Sequence, residues 1–143
     1  MTDDPTAICV DNSVLVRVLT GTARPETIDE WASWEDSGRR LVAPSLMHFE
    51  LCNALHQYTC AGQISAETVG GLVADALAMP IVIVDDDRLH VEALAVAERF
   101  GIASVYDAHY LALAERLAID LVTADAALHR RVAATAPWVR LME

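Results

Sequence analysis

Apolar residues occur along this chain in two rhythms. Ala7-Ile8-Cys9-Val10, Leu41-Val42-Ala43 and Ile81-Val82-Ile83-Val84 are short unbroken apolar runs, the pattern of strands buried on both faces. The third is the clearest of them. A fourth strand is expected within Ile119 to Thr123, and a last short one from Trp138 to Leu141, after Pro137. Between these runs, apolar residues recur at helical spacing, and each segment starts or stops at a capping signal. Ser13 is placed to cap a short helix through Leu19. Pro25 opens a second helix, with Glu26, Asp29 and Glu30 in its early turns, that ends near Gly38. Ser45 caps a longer one to about Cys60, with Gly62 beyond it. Ser65 starts a helix that reaches Met79 before Pro80. Asp86 or Asp87 caps the next, which Gly101 ends. Ser104 opens a helix through Ala118, and a final one runs from about Asp125 to Ala134.

Strands alternating with helices predict an α/β fold with a mainly parallel sheet covered by helices on both faces. The 143 residues carry no internal repeat or linker, so 1–143 is expected to be one domain. In such sheets ligands bind beyond the carboxyl ends of the strands, where the strand order reverses. Residues that directly follow strands are therefore the first candidates for chemistry.

Two carboxylates do so. Asp11 follows the first strand immediately, and Asp125 comes just after the fourth. Helix capping is the competing role for both; it is weaker for Asp11, because Ser13 offers a better placed cap. Two further acids lie on helix faces that should point inward. Met47, Leu51, Ala54, Leu55 and Tyr58 form an apolar stripe, and Glu50 and Asn53 border it. A Glu at such an edge is uncommon unless paired or metal-bound, and an ion pair with an Arg is the alternative. Asp107 shares a face with Leu111, Ala114 and Ala118, and Ser104-x-x-Asp107 also matches a capping box. Each acid alone is ambiguous. Together they would repel one another if left without a cation, and hard divalent ions such as Mg2+ or Mn2+ favour carboxylate and water oxygens.

Composition narrows the chemistry. The net charge is −11, and all ten basic residues are Arg. Without Lys there is no Walker P-loop, Schiff base or Lys-assisted phosphotransfer. The acidic balance opposes broad nucleic-acid binding, unless metal neutralises the acidic centre and a local Arg patch holds phosphate. Part of the excess charge can instead face a basic protein partner. No apolar stretch approaches the roughly 20 residues that cross a bilayer. The opening Met1-Thr2-Asp3-Asp4-Pro5 lacks the features of a secretory signal, so a cytoplasmic protein without membrane contact is expected. Cys9, Cys52 and Cys60 form no C-x-x-C pair, and all three are expected to be core or half-buried residues.

At this point a family resemblance enters. Val10-Asp11-Asn12-Ser13-Val14-Leu15-Val16 resembles the opening motif of PIN domains, and Phe49-Glu50-Leu51-Cys52-Asn53 their helix-borne Glu motif. The stretch from Ser104 to Ala114, with Tyr106-Asp107-Ala108-His109-Tyr110 at its centre, closely resembles the third-acid segment of VapC-type toxins. Leu121-Val122-Thr123-Ala124-Asp125 resembles the fourth. The motifs occur in order over nearly the whole chain, and the third is the most specific. The resemblance implies a three-layer α/β/α fold and Mg2+- or Mn2+-dependent RNA cleavage at Asp11, Glu50, Asp107 and Asp125. It also implies that Ser13 and Thr123 orient carboxylates or water through hydrogen bonds, with Asn12 and Asn53 as further candidates. A cognate antitoxin that blocks the site is implied as well; the charge of the four acids favours an Arg inserted among them, with an amphipathic helix lying in a surface groove. A homodimer is expected, partly from the resemblance and partly because Trp31, Trp34 and the Ala-rich helices offer apolar surface.

Three other functions compete. A haloacid-dehalogenase-like phosphatase would need a second Asp where Ser13 stands, and a Lys. A non-catalytic PIN binding module would have no need of four intact acids. A free-standing PIN nuclease differs from a toxin only in lacking its antitoxin. The remaining features read as structural. Asp85-Asp86-Asp87 suits a strand exit and helix cap. The five His show no ligand spacing, and Trp31 and Trp34 share a helical face as core or dimer contacts. Arg39-Arg40 and Arg130-Arg131 are the only basic doublets, and either can grip phosphate.

Overall fold

The structure is a computed structural model that describes residues 7–143; the reading of Met1 to Pro5 lies outside them. Five strands, β1 (Ile8–Val10), β2 (Leu41–Pro44), β3 (Ile81–Val84), β4 (Asp120–Thr123) and β5 (Val139–Leu141), form one sheet in the order β3-β2-β1-β4-β5. Every pairing is parallel, with Ile8 opposite both Leu41 and Asp120. The seven helices are α1 (Asn12–Thr20), α2 (Pro25–Ser37), α3 (Leu46–Cys60), α4 (Ala66–Ala78), α5 (Asp87–Phe100), α6 (Val105–Leu117) and α7 (Ala126–Val132).

This is the expected three-layer α/β/α arrangement. Helix α6 packs on β1, β2 and β4, with α5 against its outer side, while α1, α3 and α4 pack together and meet β4 and β2. The central strands are apolar because both faces are covered: Cys9, Val10, Leu121 and Val122 are fully buried. Helix α6 carries Tyr110, Leu111, Leu113 and Ala114 into the same core. Arg116 ties it to α5 through a two-pronged bond to Asp86 at 2.7 and 3.0 Å and another to Glu92 at 2.9 Å. From β1 the chain builds outward through β2 to β3, then crosses to β4 on the other side of β1. The order therefore reverses between β1 and β4, whose carboxyl ends lie side by side.

Several expectations require correction. β3, the clearest apolar run, is an edge strand with Val82 39% exposed; an apolar run does not distinguish an edge from a centre. Ser13 is not a helix cap. Asp11 occupies that position, without a side-chain capping bond, and Ser13 lies inside the first turn. Ser45 precedes α3 in helical conformation and makes no capping bond either. Of the cysteines only Cys9 is buried; Cys52 and Cys60 are exposed, because their positions turn away from the stripe of Met47, Leu51 and Leu55. Trp31 and Trp34 are 4% and 5% exposed and contact each other with ring centres 5.7 Å apart. They are core residues, with little surface left for a second copy. No helix among the described residues is long and apolar enough to cross a membrane.

Candidate active site

The reversal point between β1 and β4 is where the acids gather. Asp11 leaves the end of β1, and its amide donates to Val122 O at 2.9 Å, extending the sheet ladder by one residue. Its side chain is 6% exposed. A buried carboxylate requires donors, and two hydroxyls serve Oδ2: Ser13 Oγ at 2.7 Å and Thr123 Oγ1 at 2.7 Å. Both hydroxyls are held in turn, since Ala124 N donates to Ser13 Oγ at 2.9 Å and Asp125 N donates to Thr123 Oγ1 at 3.1 Å. The two strand ends are thus laced by the hydroxyls of Ser13 and Thr123, both bonded to Asp11.

Asp125 serves as a helix cap and lies close to two other acids. Its Oδ1 accepts from Ala127 N at 2.9 Å and Leu128 N at 3.0 Å, capping α7, while the residue sits beside Asp11 and Asp107 closely enough to raise their proton affinity. Asp107 stands in the first turn of α6, where its amide donates to Ser104 Oγ. Burial, then Asp11 and Asp125, push its carboxyl up to about 6. Glu50, half-buried on α3, accepts a 2.7 Å hydrogen bond from Tyr110 Oη at Oε1. Burial raises its pKa, the Tyr110 bond lowers it, and Asp11 and Asp107 raise it further. Burial also raises Asp11, against the lowering effect of its Ser13 and Thr123 bonds. The four acids therefore share one electrostatic centre.

The further candidates divide. Asn12 is buried next to Asp11, and its Oδ1 has no hydrogen-bond partner among the described residues. Asn53 is exposed on α3 and bonds to none of the acids. Tyr110 was missed, although a signal existed: it lies three residues after Asp107 on the core-facing side of its helix, and a buried Tyr needs a polar partner. Spacing also hid His90 and His109, which meet across α5 and α6. His109 Nδ1 lies 2.6 Å from Val105 O and donates to it, so its Nε2 accepts from His90 Nδ1 at 2.9 Å.

The donor set suits a hard cation. It is all carboxylate, and Asp11, Glu50 and Asp107 would lose their raised proton affinity to a divalent ion. No three His, Cys, Asp or Glu side chains among the described residues converge tightly enough to hold a metal by themselves.

The sequence from residue 8 to 134 matches the PIN domain family. The chain belongs to that family. The four acids of this PIN domain gather where its strand order reverses. No curated protein matches the chain in sequence. Solved structures that share its fold include the following three. PAE2754 from Pyrobaculum aerophilum has a TM-score of 0.69 at 24% identity, covering 89% of this chain and 80% of that one. A toxin–antitoxin complex from Klebsiella pneumoniae has a TM-score of 0.64 at 17% identity, over 93% and 95%. VapBC2 from Rickettsia felis, bound to a promoter DNA fragment, has a TM-score of 0.68 at 12% identity, over 96% and 99%.

Proposed function

We propose that this PIN domain is a Mg2+- or Mn2+-dependent endoribonuclease and the toxin of a type II toxin–antitoxin pair, acting in the cytoplasm as a single-domain chain. The observation that carries the nuclease reading is the gathering of Asp11, Glu50, Asp107 and Asp125 around the junction of β1 and β4, where burial first, and neighbouring carboxylates second, raise the proton affinity of Asp11, Glu50 and Asp107. Such a centre is costly to fold and is relieved by a divalent cation. Bound Mg2+ or Mn2+ supplies charge neutralisation and an activated water for in-line phosphodiester cleavage. The chain's own residues hold the geometry. Ser13 and Thr123 fix Asp11, Tyr110 fixes Glu50, and α7 fixes Asp125. Asp11 and Asp107 are the principal metal ligands in this reading, with Glu50 and Asp125 completing the site.

The toxin part rests on likeness of fold: two of the similar structures carry descriptions of a toxin–antitoxin complex and of VapBC2. Charge supports it, since a −11 chain attracts a basic partner segment whose Arg can enter the acidic centre. A second copy of the chain also belongs to this reading. Among the described residues, the large apolar side chains more than half exposed are Phe49 on α3, Leu77 on α4, Val91 and Leu94 on α5 and Tyr106 on α6. The test is expression of the chain alone, which should arrest growth, with relief on co-expression of a neighbouring small protein. A chain that cleaves RNA yet is harmless alone and co-purifies with nothing is a free-standing nuclease.

A further inference from the structure

We propose that the groove beside Asp107 and Asp125 receives a backbone phosphate of the RNA strand, adjacent to the one cleaved, and that Arg130 is the residue that grips it. This rests on the nuclease reading and extends it to substrate binding. A chain of net charge −11 repels RNA at a distance, so a local cation near the acids has to supply the attraction.

The structure separates the two basic doublets. In a parallel sheet all strands point one way, so Arg39 and Arg40, which precede β2, lie at the edge opposite to Asp11 and Asp125, which follow β1 and β4. That doublet lines a different cavity, with Trp31 and Trp34. Arg130 and Arg131 line a groove of about 530 Å3 together with Ser104, Asp107 and Asp125. One short helix joins the two chemistries. Asp125 caps the start of α7, and Arg130 follows in its last turn, about 7.5 Å further along the helix axis.

Most other arginines are occupied. Arg24, Arg88, Arg99, Arg116 and Arg140 pair with carboxylates. Arg131 donates to Gly101 O at 2.9 Å, which anchors it on the groove wall. Arg130 is exposed and makes no hydrogen bond or ion pair among the described residues. Its guanidinium is therefore available for two-pronged phosphate recognition, in a groove that tracks a single strand's backbone.

The test is fluorescence-anisotropy binding of the full chain to a labelled single-stranded RNA, across a salt series. Ca2+ replaces Mg2+, to neutralise the acids without supporting hydrolysis. Arg130→Gln should weaken binding roughly tenfold at low salt and flatten the slope of log K against log salt by about 0.7, the loss of one phosphate contact. Arg131→Gln should weaken it less, and Arg39→Gln not at all. Melting temperatures should match wild type, because Arg130 is exposed. Wild-type affinity and slope in Arg130→Gln, while the wild-type protein still cleaves RNA in Mg2+, would overturn this assignment alone. Unchanged RNA binding with weakened capture of the antitoxin would give the groove to the protein partner instead. Failure of the wild-type chain to bind or cleave any RNA would remove the nuclease reading and the subsite with it.

Discussion

Tyr110 on α6 donates its hydroxyl hydrogen to Glu50 Oε1 on α3 at 2.7 Å, joining two helices that lie sixty residues apart in sequence. Tyr110 is fully buried, and among the described residues this bond is the polar outlet for its phenol. A carboxylate at the edge of an apolar helix face is thereby held in one orientation.

Tyr110→Phe should lower cleavage by about 10- to 100-fold, the usual effect of removing a residue that orients a metal-site carboxylate. Stability should fall by only about 1 kcal/mol. The sign of the pH effect separates positioning from packing. The Tyr110 bond lowers the Glu50 pKa, so losing it raises that pKa, and the acid limb of the pH–rate profile should move to higher pH. A profile that keeps its shape would assign Tyr110 to packing alone.

Thr123→Val should be more damaging than its near-identical volume suggests. The buried hydroxyl donates to Asp11 Oδ2 and accepts from Asp125 N. Its loss strips a donor from a buried carboxylate and leaves an amide unpaired, at a cost of about 1–3 kcal/mol. Thr123→Ser should retain most of both stability and activity. Urea unfolding of the two variants, alongside cleavage assays, checks this.

The metal-free protein should become more stable as pH falls from 7 towards 5. Asp107 has its folded pKa raised from 3.8 to about 6, so the folded state binds this proton more tightly than the unfolded chain. The resulting stabilisation is fully present below about 4 and is lost as pH rises through about 6. Asp86 acts in the opposite sense. Its bonds to Arg116 and to the amide of Leu89 hold it down at about 2, so its contribution is present above about 4 and lost as pH falls towards 2. Thermal melts in EDTA should show a maximum between these windows. In Asp107→Asn the rise from pH 7 to 5 should shrink, whereas an unchanged curve would show that Asp107 is not the titrating group.

Ala118 ends α6 in the left-handed region, at φ 53°. A side chain there is strained by about 1 kcal/mol, and Gly is the residue that relieves it. Ala118→Gly should raise stability by about that amount without altering cleavage, as measured by denaturant midpoint.

Much of the site was legible because it is built from strand ends. Parallel-sheet geometry alone puts a carboxylate that directly follows an apolar run, as at Asp11 and Asp125, on the edge where ligands bind. The helix faces of Glu50 and Asp107 were legible for the same reason, since period and burial go together. What stayed hidden depends on which elements become neighbours. Nothing near Ile81 reveals that its strand lies at the sheet edge. The tryptophans read equally as core or interface until α2 is packed. Ser13 looked like a cap because capping is a local signal, whereas its partners Thr123 and Ala124 lie more than a hundred residues away. The Tyr110–Glu50 bond is hidden for the same reason.

The central claim is that these four acids form a metal-dependent RNA-cleaving centre, and one comparison tests it most directly. Purified wild-type chain and Asp107→Asn are incubated with a panel of labelled RNAs in Mg2+, in Mn2+ and in EDTA. The account predicts cleavage by wild type with either metal, none in EDTA, and a loss of about a hundredfold or more in the variant at unchanged folding by circular dichroism. Cleavage in EDTA, or wild-type rates from Asp107→Asn, would contradict it.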